Sequence, residues 1–360
     1  MTDQKYEVRK LVRSDLKGLP VLISEVLGTE TDETHLEWKY FSGADGRCIS
    51  TVALSGERII GFLGAIPVRF SIGGKEVIAA EEADLAILPE YRRLDLSLKM
   101  YGVSKKTFAE EDIAFVYGIT SKATSEFNKS LLGKKEVAPV PRHVRVLNSR
   151  PYLARKISNG FLLAAATPLA NALLSLKYRK KSSVPDGMRI VAPEKFDGRF
   201  DALWERIKGD HPVARARDAA YLNWRYADVR NKGYNIFCLE REISREIASF
   251  MVLRVKEEGW ARRGQIMELV SPRGQGSQAL APLIDLAVGH FRRKRADSIE
   301  CWMFPHNHGF AELARRGFAE RKKKHLNLHV QDMRPELAEQ GNFLTGSGNW
   351  RISIGDSDLG

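Results

Sequence analysis

Residues 36–40 read LEWKY and residues 222–226 read LNWRY, which sets Trp38 and Trp224 186 positions apart. Working outward from the pair, each is followed by an alternating apolar run of strand character, RIIGFLGAIPVRF (58–70) and REIASFMVLRV (245–255). Next comes a strand closed by proline and arginine, ADLAILPEYRR (83–93) and IMELVSPRG (266–274), with Pro89 and Pro272 183 apart. Amphipathic helices are predicted near 95–110 and 279–294, then short strands IAFVYGI (113–119) and SIECWMF (298–304). A polar helix ending in glycine closes each series, with Gly133 and Gly317 184 apart. Five features in one order at a nearly constant offset predict two copies of one βαβα unit.

The chain has 360 residues, 43% hydrophobic and 28% charged, which excludes a disordered or fibrous protein and suffices for a sizeable core. Cys48, Cys238 and Cys301 lie far apart, so no disulfide framework or cysteine-rich zinc module is expected. The polar start MTDQKYEVRK carries no apolar signal core, and with the unpaired cysteines it predicts a cytoplasmic location. The net charge of +12 favours anionic partners, and the basic residues cluster at 177–181, 292–295 and 321–324. Apart from Tyr178 no aromatic residue is interleaved with them, which is short of what a base-stacking surface would need. The predicted domains are residues 1–150, a connection over 151–187, residues 188–335, and a Gly/Ser-rich tail, 336–360, whose Phe343, Leu344 and Trp350 should pack. Within the connection, Phe161–Leu176 is too short, and too broken by Pro168 and Asn171, to span a bilayer. It reads as a connecting helix buried between the halves or as a surface helix with basic flanks.

Between strand and helix in the second half lies Ser271-Pro272-Arg273-Gly274-Gln275-Gly276-Ser277. A glycine-rich turn feeding a helix N-terminus exposes amides that can cradle a pyrophosphate. Gly274-x-Gly276-x-x-Ala279 also fits a dinucleotide fingerprint, but Asp297 precedes its strand instead of ending it, against that reading. The Arg-x-x-Gly-x-(Gly/Ala) turn, with Asn307, Ala311, Leu313 and Gly317-Phe318 downstream, resembles the GNAT acetyltransferase superfamily. The first half has the same frame in Arg92-Arg93-Leu94-Asp95-Leu96-Ser97, then Asn128 and Gly133, with Asp95 and Ser97 in place of glycines. The pair of copies, with GDSD at 355–358, resembles tandem GNAT proteins associated with bacterial surface-polysaccharide biosynthesis.

The resemblance implies an α/β (α+β) chain with a tandem GNAT-like acyl-CoA N-acyltransferase fold, two mixed twisted sheets flanked by helices. It implies acetyl-CoA or another acyl-CoA as co-substrate and an amino sugar or sugar nucleotide as acceptor. Aminoacyl-tRNA in a peptidoglycan-bridge transferase, or a non-catalytic scaffold, are the alternatives. Acyl transfer needs a base for the acceptor. Candidates are Glu82 and Asp84, which share one face of their strand, with Glu81, and Glu268 in the second half; Tyr117 is the candidate acid. Candidate cofactor contacts are Arg92, Arg93, Leu94, Ser97 and Asn128 in the first half and Arg273, Gly274, Gly276 and Ser277 in the second. Turn chemistry favours the second half. Architecture favours the first, because Pro282 should delay the second helix; the expectation is the first. His306 and His308 fall in a loop by the second cleft, and His325, Asn327 and His329 form the wet face of a strand. No metal site is expected.

Overall fold

The computed structural model describes residues 6–43, 45–177, 182–228, 230, 233–274, 276–321, 326–334 and 343–358. Residues 1–5, 44, 178–181, 229, 231–232, 275, 322–325, 335–342 and 359–360, Gln275 and His325 among them, lie outside these, and so do the side chains of Ala123, Leu176, Lys177 and Ser277.

The first half runs β1 (Glu7–Lys10), α1 (Leu19–Leu27), α2 (Glu33–Phe41), β2 (Thr51–Ser55), β3 (Arg58–Ile72), β4 (Lys75–Ile87), α3 (Leu94–Glu110), β5 (Phe115–Ser121), α4 (Lys122–Leu132), β6 (Lys135–Val140) and β7 (Arg142–Val146). The connection is α5 (Arg150–Ala154) and α6 (Gly160–Lys177). The second half runs β8 (Met188–Val191), α7 (Gly198–Ile207), β9 (Val213–Arg215), α8 (Ala219–Leu222), β10 (Tyr234–Arg241), β11 (Ile247–Glu258), β12 (Ala261–Val270), α9 (Gly276–Arg293), β13 (Ser298–Trp302), α10 (Phe310–Arg315), β14 (Ala319–Glu320) and β15 (Leu326–Asp332).

Local chemistry sets the boundaries. Asp32 caps α2 by accepting from the His35 amide at 2.7 Å, and Ser121 caps α4. Gly133 ends α4 at φ 64°, a left-handed conformation that glycine adopts without strain. Pro282 does not delay the second helix as expected: α9 begins at Gly276 and carries the proline inside it, its apolar face holding the helix on the sheet through Leu280, Leu283, Ile284, Ala287 and Phe291.

There are two mixed sheets, ordered β1-β2-β3-β4-β5-β15-β6, with β9 on β3, and β14-β7-β13-β12-β11-β10-β8. They exchange strands. β7 pairs antiparallel with β13 of the second half, while β15 inserts between β5 and β6 of the first. One hydrophobic core therefore runs through both halves, from Leu19 and Phe62 to Phe200 and Phe250. The tail is part of it. Trp350 is fully buried against Phe70, Phe115 and Tyr117, with ring centroids 5.9–6.2 Å away. The connecting helix is not buried between the halves; α6 lies on the surface, where Phe161 is 82% exposed.

Candidate functional site

β4 and β5 run parallel and paired only from Ala79–Phe115 to Glu81–Tyr117, and then part. On its other side β4 is bulged, with Leu63 opposite Leu85 and Ala65 opposite Glu82, so that Ala83 and Asp84 together face Gly64. A Cβ on Gly64 would collide with Tyr40, whose ring fills that space. The second sheet shows the same device: β12 and β13 pair from Arg263–Ser298 to Ile266–Cys301 and part, beside a register shift at Val252/Leu253. Parted parallel strands leave backbone amides and carbonyls in need of a partner, which makes each gap a place for an extended ligand.

What fills the gaps differs. Between β12 and β13 the tail itself intrudes. Arg351, Ile352 and Ser353, with Ile266, Leu269 and Trp302, leave a cavity of about 20 Å³, enough for about one water. Between β4 and β5, Glu82 packs over Gly118 and pairs with Lys134, whose ammonium sits 5.0 Å above the Tyr101 ring. Beside them lie Asn128, its Oδ1 buried without a partner among the described residues, and His329, likewise unpartnered at both ring nitrogens. His329 is delivered by the exchanged strand β15, opposite Gly118, and burial pushes its pKa down. The expected wet face of this strand is therefore dry, with Asn327 and His329 buried and Asn327 bonded to Ser125 at 3.2 Å.

A cavity of about 1020 Å³ opens between the halves, lined by Asp32, His35, Lys39 and Asp84 on one side and by Arg225, Arg230, Tyr234, Arg254 and Lys256 on the other, with Asp358 of the tail. Asp84 accepts from Lys39 Nζ at 2.8 Å and from Tyr40 Oη at 2.7 Å, and Lys39 reaches Asp358 at 3.3 Å. Burial would raise the Asp84 pKa; the Lys39 charge and the bonds from Lys39 and Tyr40 outweigh it and hold the carboxyl below its usual range. The second half has the counterpart, Tyr226 Oη donating to Glu268 at 3.1 Å, but there Glu268 is sealed against Arg217 at 2.9 Å. Arg217 also holds Asp356 at 2.7 Å, Arg215 pairs with Glu81 at 2.8 Å, and Arg225 donates to the Ser357 carbonyl at 2.8 Å. The GDSD segment is thus clamped by buried arginines.

Of the residues singled out in the sequence, Asp84 alone among the candidate bases and acids lines the large cavity. Glu82 is engaged by Lys134. Tyr117 is 1% exposed, its hydroxyl donates to the Asp356 carbonyl at 3.2 Å, and burial drives its pKa well up, so the geometry gives it a role in seating the tail. Arg92, Arg93 and Leu94 are exposed at the start of α3, where no side chain caps the helix among the described residues. Arg92 Nε donates to the Ile87 carbonyl and Ser97 Oγ to that of Arg93. The Asp95 carboxylate is taken up by Tyr6 at 2.7 Å and Arg93 at 3.1 Å. In the second turn the Arg273 amide is spent on Asp210 at 2.9 Å, Gly274 stands at φ 87°, and Gly276 and Ser277 open α9. His308 bonds Ser271 at 2.9 Å and His306 the Trp350 carbonyl at 3.0 Å, and no metal-binding cluster occurs among the described residues. Sequence reasoning missed Lys39, Tyr40 and Lys134. The first two stood in the repeated W-(K/R)-Y, read only as a repeat mark.

Residues 7–126 match the family model of the acetyltransferase (GNAT) domain. No curated protein matches the chain. Among solved structures, a GCN5-related N-acetyltransferase from Anabaena variabilis is 11% identical with a TM-score of 0.65, over 92% of this chain and 73% of that one. A conserved Enterococcus faecalis protein of unknown function, described as a probable N-acyltransferase, is 12% identical with a TM-score of 0.64, over 91% and 73%. Saccharomyces cerevisiae N-myristoyltransferase with bound myristoyl-CoA is 12% identical with a TM-score of 0.63, over 92% and 80%. At these identities the likeness establishes the fold.

Proposed function

We propose that the chain, whose residues 7–126 match the acetyltransferase (GNAT) domain model, is an acyltransferase built from two GNAT-like copies, the first of which holds acyl-CoA. Its acceptor is an amine or hydroxyl of an amino sugar or sugar nucleotide used in surface-polysaccharide biosynthesis. The observation that carries this reading is the position of Asp84, which lies on the β4 bulge three residues past the last β4–β5 pair and lines the large cavity.

Acyl-CoA supplies the acyl carbon activated as a thioester. The α3 N-terminus, with Arg92 and Arg93, suits its pyrophosphate, and the buried unpartnered Asn128 Oδ1 suits an amide of its arm. The acceptor nitrogen or oxygen attacks the carbonyl carbon, the carbon–sulfur bond breaks, and the acceptor's proton ends on the thiol. A carboxylate held in its charged form by Lys39 and Tyr40 attracts an acceptor ammonium, orients its nitrogen and passes a proton on instead of keeping it. Arg225, Arg230 and Arg254 across the cavity supply planar donors for a nucleotide's phosphates.

Calorimetry with acetyl-CoA, followed by thiol release with nucleoside-diphosphate amino sugars, tests the reading. Binding with acceptor-dependent thiol release is expected. No acetyl-CoA binding, beside retention of aminoacyl-tRNA on a filter, overturns it.

A further inference from the structure

Helix α6 has no charged residue from Gly160 to Ser175. Its half-buried positions, Leu163, Ala166, Thr167, Ala170, Asn171 and Leu174, recur at helical spacing. This side meets the start of α5, where Asn171 Oδ1 accepts from the Ser149 amide at 2.8 Å. A solvated helix carries its charges on the opposite face. Here that face presents Phe161 at 82% exposure, Leu162 at 57%, Leu169 at 66% and Leu173 at 61%, with Ala164, Ala165, Pro168 and Ala172 exposed between them. Four large apolar side chains in one stripe mark an interaction surface, where single exposed leucines elsewhere need no explanation.

The surroundings name the partner. Arg150, Arg155 and Lys156 stand exposed just before the helix, and the sequence continues past Lys177 into Arg179-Lys180-Lys181. The Arg155 guanidinium lies 4.8 Å over the ring of Trp260, itself 40% exposed and edge-on to Tyr152. An apolar stripe with exposed cations before it, further basic residues following in the sequence, and an amphipathic aromatic pair beside it is the composition that lodges at a headgroup boundary. No helix among the described residues is long and apolar enough to cross a membrane.

We propose that α6 docks in the plane of an anionic lipid bilayer, with Phe161, Leu162, Leu169 and Leu173 entering the acyl boundary and Arg150, Arg155 and Lys156 pairing with lipid phosphates. A second copy of this chain is a poorer occupant. Two antiparallel α6 helices would set the basic start of one against the basic end of the other, repulsion that an anionic membrane turns into attraction.

The test is co-sedimentation of the full chain with vesicles of phosphatidylcholine alone and of phosphatidylcholine with phosphatidylglycerol. The acyltransferase reading does not enter it. Binding to the anionic vesicles, weakened by salt, is expected, with little on neutral ones. Leu169→Ser with Leu173→Ser should lower the partition coefficient about tenfold or more, with an unchanged circular-dichroism melt because both side chains are exposed. Brominated lipid should quench tryptophan emission through Trp260 in the parent and lose that effect in Trp260→Phe. Absence of sedimentation at low salt, or equal binding by the double variant, overturns the proposal. A concentration-dependent dimer abolished by the same two substitutions overturns it in favour of a second copy.

Discussion

The indole N–H of Trp38 donates to the carbonyl of Trp224 at 2.9 Å, and that of Trp224 donates to the carbonyl of Trp38 at 3.0 Å, with the rings stacked 5.1 Å apart. The exchange ties α2 to the turn after α8 and makes each half satisfy the other's buried carbonyl. Trp38→Phe and Trp224→Phe each keep an aromatic ring and orphan one acceptor, so each should cost about 1–3 kcal/mol in urea unfolding. Because both also weaken the same stacked pair, the double variant should lose less than the sum. Strict additivity would mean that the two indoles do not interact energetically.

The offset of 183–186 residues and the W-(K/R)-Y pair were legible in the sequence because apolar period and turn residues are local signals; β3, α3 and β5 lie within a few residues of their expected bounds, while β4 begins at Lys75, eight residues before the stretch expected from 83. Strand exchange was not. Nothing in RHVRV (142–146) or LNLHVQD (326–332) encodes which sheet takes them, since pairing partners are chosen by tertiary contacts. The burial of Tyr117 and Glu268 was hidden for the same reason: both are covered by a tail more than 80 residues downstream. Asp84 was legible as an acid on a strand end, but the tyrosine and lysine that set its charge came from a helix 44 residues earlier.

Tyr40→Phe isolates one contribution to that charge. The lost bond favoured the carboxylate, so the Asp84 pKa should rise and the acid limb of the kcat/KM profile should move to higher pH, with Lys39→Met moving it further. Asp84→Asn should remove turnover and leave acyl-CoA affinity in place. An acid limb that stays put in Tyr40→Phe would place the base elsewhere.

The cofactor end is decided by charge removal in two places. At the start of α3, Arg92 and Arg93 are exposed and the helix end carries no side-chain cap at Arg93. In the second turn the Arg273 amide already serves Asp210, and the neighbouring gap is filled by Arg351 and Ile352. Arg92→Ala with Arg93→Ala should weaken acyl-CoA binding about tenfold or more, the worth of one or two charge-assisted bonds. Arg273→Ala should leave it unchanged in calorimetry; the reverse result would assign the cofactor to the second half.

Acid stability should report the buried histidine at the junction of the second gap and the tail. Burial, reinforced by Arg351, Arg273, His308 and His306, pushes His211 down to about 3 from an ordinary 6.5. Between those values the unfolded chain binds a proton that the folded chain refuses, so stability is full above about pH 6.5 and is lost as pH falls toward 3, at up to about 1.4 kcal/mol per pH unit. His308, His290 and His329, also shifted down by burial, act with the same sign. Asp356 adds a later loss: burial opposes its charge, but Arg217, Arg215 and Arg351 prevail and hold it below the ordinary carboxylate range, so its contribution disappears only as pH falls through that lowered value. His211→Phe replaces a ring that already has one unpartnered buried nitrogen, and it should flatten urea midpoints between pH 6 and 4 while keeping the steeper fall below. An unchanged slope in that window would mean that the folded protein accommodates the charged imidazole, and the clamp around the tail would then be looser than the arginines on Asp356 imply.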